Sequence, residues 1–501
     1  MITILKHFVG LVGATFVVAG AYADGLFFDD ETIQNGVNVV QMSNDFADVY
    51  ETLDKVDWRG RNVDVSLASL ENIHKNAHVE LTGERVILVW NDKVVANYPR
   101  PADNNWAALG QATTALALKM RERIPSMAND AEIYRVVVDS LIRGINEYGR
   151  YVFPQELDEN EDNRILTSVG IEGARDERGN FRVFGVYKGS PADVAGIASG
   201  DLIGEINGTL VAELSDSAIA SMLSGFDSGT LKMTLISPTG TRRVVVRRAT
   251  VVIADADIVF LNDDKGGVLN IIVNKVSDNS VKIIEETLEK YKDLTGVLLD
   301  LRSAMGDNEI AATKLAGMFV GQKPVMRIVE SQQDEIEIVP SGTALTDAPV
   351  VVAVSNMTRG PAEAIAAAIY ENKRGVLIGT PTSGVARIAS KIKLKNGGML
   401  ELYNKSMKTG QGRVLDERGV FPIVCIANLN SNQQQEAFFL NVLNGEFNAQ
   451  DFNVPGDINL DKARQACPVI ANGADEDLLT LSVGVKILTD ANIYDKLLNT
   501  K

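Results

Sequence analysis

Apolar positions recur along this chain with three different rhythms, and the changes of rhythm divide it. VNVVQMSNDFADVYETL (37–53) and NWAALGQATTALALKMRERI (105–124) space them as helices do. Between these runs HVELTGERVILVWNDKVVANY (78–98) alternates, with turn signals at Thr82-Gly83 and Asn91-Asp92. Residues 24–157 therefore predict a helical region carrying a small sheet. A further helical run, AEIYRVVVDSLIRGINEYGRYV (131–152), is expected to continue to Pro154, after which the acidic DENEDN (158–163) marks a linker. Residues 163–251 change to short β-rich segments with frequent glycine and one amphipathic helix around SDSAIASMLSGF (215–226). From 254 to 425 the strand patterns GGVLNIIVNKV, GVLLDL, PVVVAVS and GVLIGT alternate with the helix patterns NSVKIIEETLEKYKDL, EIAATKLAGMFV and PAEAIAAAIYEN. Such alternation predicts βαβ units and an α/β class. Functional loops are then expected at the carboxyl ends of the strands, within LDLRSAMGDN, VSNMTRGPAEA and IGTPTSGVARIAS. Residues 426–501 predict a helical extension without visible chemistry, covering the sheet or making an oligomer contact.

With 501 residues, 45% of them hydrophobic and only 14 Pro, the chain is too apolar for a disordered protein; it has room for about three domains. Its 49 Lys and Arg against 66 Asp and Glu give a net charge of −17. An acidic chain with no dense basic run gains nothing from counterion release, so no nucleic-acid partner is expected. Residues 1–23 place Lys6 and His7 before the apolar run FVGLVGATFVVAG and the small-residue site Ala21-Tyr22-Ala23. This reads as a secretory signal peptide cut after Ala23, since 13 apolar residues fall short of the ~20 that span a bilayer. The expected mature chain, 24–501, is soluble and secreted or periplasmic, with no integral membrane segment.

In that oxidising compartment Cys425 and Cys467 are expected to pair, which would stabilise the fold by ~4 kcal/mol in the chain-entropy account. His74 and His78 have the spacing of a helical metal pair, but no Glu lies between them and HVELTG reads as strand, so both are expected at the surface. No metal site and no cofactor is expected.

Ser168-Val169-Gly170-Ile171, followed by VFGVYKGSPADVAGIASGDLIGEINGTLV, resembles a PDZ domain over about 90 residues. The resemblance implies capture of a protein or peptide C-terminus as an added strand. Small residues around Gly170 would let successive N–H groups converge on its carboxylate. Val169, Ile171 and Val183 favour an apolar C-terminal residue.

With that module upstream, the three loops resemble the C-terminal processing peptidases, or tail-specific proteases, which use a serine nucleophile and a lysine base. Leu299-Asp300-Leu301-Arg302, Gly306, Glu363, Gly379, Thr382 and Gly384 match the family pattern across residues 130–425, and RGVFPIVC fits its closing strand. The resemblance implies a ClpP/crotonase-like α/β core with an inserted PDZ domain. It places the family serine at Gly360, the lysine at Val385 and the supporting glutamine at Ala389. Glycine offers no nucleophile and valine accepts no proton.

Gly306 and Gly360 remain as oxyanion-like positions. Asp307, beside Gly306, would oppose an oxyanion or cap the helix that follows. Displaced candidates nearby are Ser355, Thr358, Ser383, Ser390 and Lys391, while Arg387 stays protonated and is no base. The expectation is a binding protein that has lost its catalytic dyad. Its alternatives are a serine endopeptidase working through Thr358 or Ser383, and an adaptor recruiting substrates to another protease.

Overall fold

The computed structural model describes residues 38–499 except 56–62, 103, 125–129, 147, 155–156, 158–165, 176–179, 188, 199, 226–227, 238–239, 252–253, 264–265, 331–333, 449–450, 455, 457 and 469–472. The proposed signal peptide and the acidic run 158–163 lie outside the described residues. The chain forms two compact units, one of residues up to Tyr151 with 206–222 and 393–398, the other of 152–205, 223–392 and 399–501.

In the first unit, helices α1 (Val39–Lys55) and α2 (Trp106–Arg121) cross closely. Gly110 permits this approach, because a Cβ there would sit 2.1 Å from the Ser43 carbonyl oxygen. The Tyr50 and Thr113 hydroxyls, 2.9 Å apart, and a Ser43–Thr114 bond of 3.1 Å satisfy the buried polar atoms. Strands β1 (Ala77–Leu81), β2 (Arg85–Trp90) and β3 (Lys93–Pro99) form an antiparallel meander. It turns at Asn91 and Asp92, whose φ of 49° and 60° suits a tight hairpin. Helix α3 (Asp130–Ile145) stops short of the expected end, and Arg150–Val152 is a strand. The chain folds back at Gly149, whose N–H bonds the Asn146 carbonyl at 2.8 Å, where a Cβ would meet the Ile142 side chain at 2.3 Å.

The second unit carries the predicted β-rich module. Strands β4 (Ile171–Arg175), β5 (Phe181–Val186), β6 (Leu202–Ile206), β7 (Thr230–Ser237) and β8 (Gly240–Arg247) lie in the order β8-β7-β6-β5-β4. The GSPA signal behaves as read: Ser190 caps a short helix, Pro191–Val194, through the Asp193 N–H. Gly196 follows the helix with φ 69°.

The α/β core follows. Hairpin β9 (Ala256–Asp263) and β10 (Gly266–Val273) leads into α4 (Asp278–Lys290), β11 (Gly296–Asp300) and α5 (Glu309–Val320). After strands β12 (Met326–Val329) and β13 (Glu335–Ile338) come β14 (Val350–Val354), α6 (Pro361–Glu371) and β15 (Gly375–Gly379). Strands β16 (Arg387–Lys393), β17 (Met399–Thr409) and β18 (Val424–Cys425) complete it. The main sheet runs β9-β10-β11-β14-β15-β18, parallel from β10 onward. Every residue of β11, β14 and β15 is buried, as a sheet covered on both faces requires. Val297, Leu299, Val350, Val352 and Leu377 face one layer with Ile284, Leu315 and Ile365 of α4, α5 and α6.

Alternate residues Leu298, Val351, Ala353, Val376 and Ile378 face a second layer. That layer is the C-terminal extension: α7 (Asn432–Asn444), α8 (Leu460–Ala466), α9 (Gly473–Thr489) and α10 (Ala491–Leu498). Val483, Ile487 and Leu488 of α9 and Ile493 and Leu497 of α10 close the core. The Tyr494 hydroxyl accepts the Val350 N–H at 3.0 Å. Cys425 and Cys467 form a disulfide. A second, antiparallel sheet, β13-β12-β17-β16, was not expected from the sequence. Its strands mix charge with apolar residues, and the charges pair across strands: Arg327 with Glu335 and Glu337, Lys405 with Glu330, Lys408 with Glu335.

Candidate functional site

Strand β14 runs into a tight turn and then α6, with Gly360 at the bend. Its φ of 62° and ψ of −135° belong to backbone that a side chain adopts only under strain, and Pro361 begins the helix. The Gly360 N–H donates to the Val385 carbonyl at 3.0 Å and lies 3.1 Å from Glu363 Oε2. A Cβ at Gly360 would lie 3.4 Å from the Gly306 carbonyl oxygen and 3.9 Å from that of Val385. Three positions singled out in the sequence, Gly306, Gly360 and Val385, therefore meet. Ala389 lies on β16, partly buried and without a polar side chain. The Gly360 N–H is engaged, and the nearest group of Gly306 is an acceptor.

Glu363 holds this meeting point together. Its fully buried carboxylate accepts the Thr382 hydroxyl at 2.5 Å and the Gly384 N–H at 2.8 Å on Oε1, and the Gly360 N–H on Oε2. Thr382 Oγ1 in turn accepts the Val420 N–H at 2.7 Å. Burial pushes the Glu363 carboxyl up to about 7, against the pull of its three donors. The sequence supplied Glu363, Thr382 and Gly384 as separate matches; that they form one clamp is visible only in three dimensions.

Each displaced candidate has a partner of its own. Thr358, fully buried, donates to the Leu301 carbonyl at 2.8 Å and accepts the Ser355 N–H at 3.0 Å. Ser355 donates to the Arg302 carbonyl at 2.7 Å. Ser383 Oγ accepts the Val385 N–H at 3.1 Å, and Ser390 bonds Asn404 at 2.8 Å. Arg387 Nε meets both Asp416 oxygens, at 3.0 and 2.9 Å. Lys391 pairs with Asp307 at 3.4 Å. Asp307 is not the helix cap considered above. Asn308 takes that role, accepting the Ala311 N–H at 2.8 Å, because it is the residue directly before the first turn of α5. The Asp300–Arg302 pair closes a fork within the LDLR turn, at 2.9 and 2.6 Å.

The module's loop is also preoccupied in part. Ser168, Val169 and Gly170 are buried; the Val169 N–H donates to the Leu223 carbonyl at 3.0 Å and the Gly170 N–H to Ser168 Oγ at 3.0 Å. Gly170 takes φ 82°. Its carbonyl accepts the Tyr187 N–H at 3.0 Å, and Ile171 is registered against Val186. By the alternation of an antiparallel ladder, the Ile171 backbone then faces the open side of β4, the edge strand of its sheet.

Of the two histidines, His78 is exposed and 2.8 Å from Glu71, as a surface residue would be. His74 corrects the surface expectation: it is 4% exposed and stacked on Trp90 with centroids 4.6 Å apart. Its Nδ1 accepts the Asn76 N–H at 3.1 Å, and burial lowers its pKa. The alternation of β1 and β2 supplies the apolar cover under which His74 is drawn. Among the described residues no cluster of His, Cys, Asp or Glu is placed to hold a metal ion. None of the described helices is long and apolar enough to cross a membrane.

A βαβ core with a glycine-bearing strand-to-helix bend, joined to a PDZ-type sheet, defines a peptidase-type fold with a peptide-binding module. Residues 267–424 match Peptidase family S41 and residues 182–236 match a PDZ domain. Together these matches support a likeness to the C-terminal processing peptidases that carry a PDZ domain. Similar proteins include a Carboxyl-terminal-processing protease of Picosynechococcus, 27% identical over 64% of this chain and 76% of its own. A Probable CtpA-like serine protease of Staphylococcus haemolyticus is 22% identical over 60% of this chain and 61% of its own, so less than two thirds of that relative is spanned. A solved photosystem II D1 C-terminal processing protease aligns with a TM-score of 0.47 and 21% identity, over 62% of this chain and 86% of its own.

Proposed function

We propose that this chain is a secreted, non-hydrolytic member of its family that binds protein or peptide C-termini through its PDZ domain. The observation that carries the reading is Gly360: at the bend where a nucleophile would stand, with the Val385 and Gly306 backbones beside it, there is no side chain. Acyl transfer needs a nucleophile within reach of a base, and the Thr358 and Ser355 hydroxyls donate to the Leu301 and Arg302 carbonyls. Peptide capture rests on the open edge of β4, where an extended ligand adds as a strand. Secretion rests on the leader pattern of residues 1–23, and sequencing of the exported protein should find Asp24 first.

The test is incubation of residues 24–501 with an unstructured protein and with peptides ending in a free apolar residue. Mass spectrometry is expected to find intact substrate. Fragments that disappear on Thr358→Ala or Ser383→Ala would instead establish an active endopeptidase. Binding should be weaker for amidated than for free C-termini. Ile171→Pro, which removes an edge-facing N–H, is expected to lower peptide affinity at least about tenfold while leaving the unfolding midpoint nearly unchanged. Equal affinity in that variant would move the binding site elsewhere.

The pair Gly360→Ser with Val385→Lys is expected to introduce slow peptide hydrolysis, measurable as fragments absent from either single variant. Serine at φ 62° should lower stability by about 1–2 kcal/mol.

A further inference from the structure

We propose that His74 is an acid-sensitive latch: a proton taken up by its imidazole opens the joint between the turn at residues 73–77 and the segment 211–215, and through the helix that follows weakens peptide capture. The second half rests on the peptide-binding reading above. The joint is made of backbone. Lys75 donates its N–H to the Glu213 carbonyl at 3.0 Å, Ser215 donates its N–H to the Ile73 carbonyl at 3.4 Å, and His74 is bridged to Leu214. Ser215 then caps helix Asp216–Leu223, its hydroxyl oxygen accepting the Ala218 N–H at 3.1 Å. The carbonyl of Leu223, the last residue of that helix, accepts the Val169 N–H at 3.0 Å and the Ser168 hydroxyl at 3.3 Å. Both belong to the loop that would receive a C-terminal carboxylate.

The ring of His74 cannot take a second proton where it stands. Its Nδ1 accepts the Asn76 N–H at 3.1 Å, which leaves the proton of the neutral ring on Nε2. Nε2 faces Glu213 Oε2 at 3.7 Å, but that carboxylate is already paired with Lys75 at 3.0 Å. A further proton has to go to Nδ1, where the Asn76 N–H already points. Two donors then meet, the Asn76 bond is lost, and a charged ring only 4% exposed has to turn toward water.

The charges that act on the ring oppose each other. Glu213, across the joint, favours the added proton, while Lys75, its neighbour in the chain, disfavours it; β2 contributes the uncharged Trp90 ring. Burial is the largest influence and sets the outcome, lowering the His74 pKa from 6.5. The opened form therefore takes a proton that the closed form resists. The joint is at full strength above pH 6.5 and weakens as pH falls below it. His78 lacks these constraints: it is exposed and lies 2.8 Å from Glu71, so a proton added there meets an acceptor.

Amide exchange of residues 24–501 without ligand, corrected for the intrinsic rate, is expected to be at least about tenfold faster in 211–218 at pH 5 than at pH 7. His74→Asn keeps an acceptor near the place of Nδ1 and takes no proton, so its exchange there should not change with pH. His78→Gln should behave as the wild type. Affinity for a peptide ending in a free apolar residue should fall at least about tenfold over the same pH range in the wild type and hold in His74→Asn. Thermal unfolding near the wild-type midpoint at pH 7 certifies that each variant is folded. Should His74→Asn fail to fold, the wild type alone decides: equal protection of 211–218 at both pH values would overturn the proposal. So would a loss of protection in acid that His74→Asn shares, or a joint that opens in acid while a measurable affinity stays constant. A wild type whose joint opens in acid but which binds peptide at neither pH would remove the peptide-binding reading and leave the latch standing.

Discussion

Replacing Glu363 by alanine is expected to lower stability by about 3 kcal/mol or more in denaturant titration. The Gly360 and Gly384 N–H groups and the Thr382 hydroxyl all point at one buried carboxylate, and an orphaned buried donor costs about 1–3 kcal/mol. The same residue sets a pH dependence. Its folded pKa is raised from 4.5 to about 7, so between those values the folded chain keeps a proton that the unfolded chain releases. Glu363 therefore contributes fully below pH 4.5, and the contribution is lost as pH rises through 7. Glu363→Gln should flatten that stretch of the stability curve. An unchanged slope would show that the carboxyl is already ionised at pH 5.

Reduction of the Cys425–Cys467 disulfide is the second large effect expected. Its sequence separation is 42 residues, and the chain-entropy account assigns such a loop about 4 kcal/mol. Cys467→Ser should lower the thermal midpoint, and adding reductant to the wild type should reproduce the shift. The same reductant should leave the variant unmoved. Loosening should be greatest where α9 and α10 cover Leu298, Val351 and Ile378, readable as faster amide exchange there.

Much of this was legible in the chain. The runs around Leu298, Val351 and Leu377 are short, apolar and separated by helical spacing, and such a pattern admits little besides a parallel sheet. The PDZ turns were legible through glycines at 170, 189, 196 and 200, all with positive φ. The second sheet was not, because Arg327, Lys405 and Lys408 read as solvent-facing charge until their partners across the strands are known. The candidate site was legible as positions, since Gly360 and Val385 follow from counting along a motif. The Glu363 clamp was not, because it joins the start of α6 to a loop some twenty residues on. His74 was misjudged for a related reason: the Trp90 ring that covers it lies on another strand.

The second layer of the main sheet also bears on how the protein reaches its fold. Leu298, Val351 and Ile378 are in the chain well before Val483, Ile487 and Leu497, which cover them. During synthesis one apolar face of the sheet stays uncovered until residues 483–497 have emerged. Closure of Cys425 onto Cys467 then falls after the strands of the sheet are already in the chain, and the uncovered face is a site for misassociation until that point.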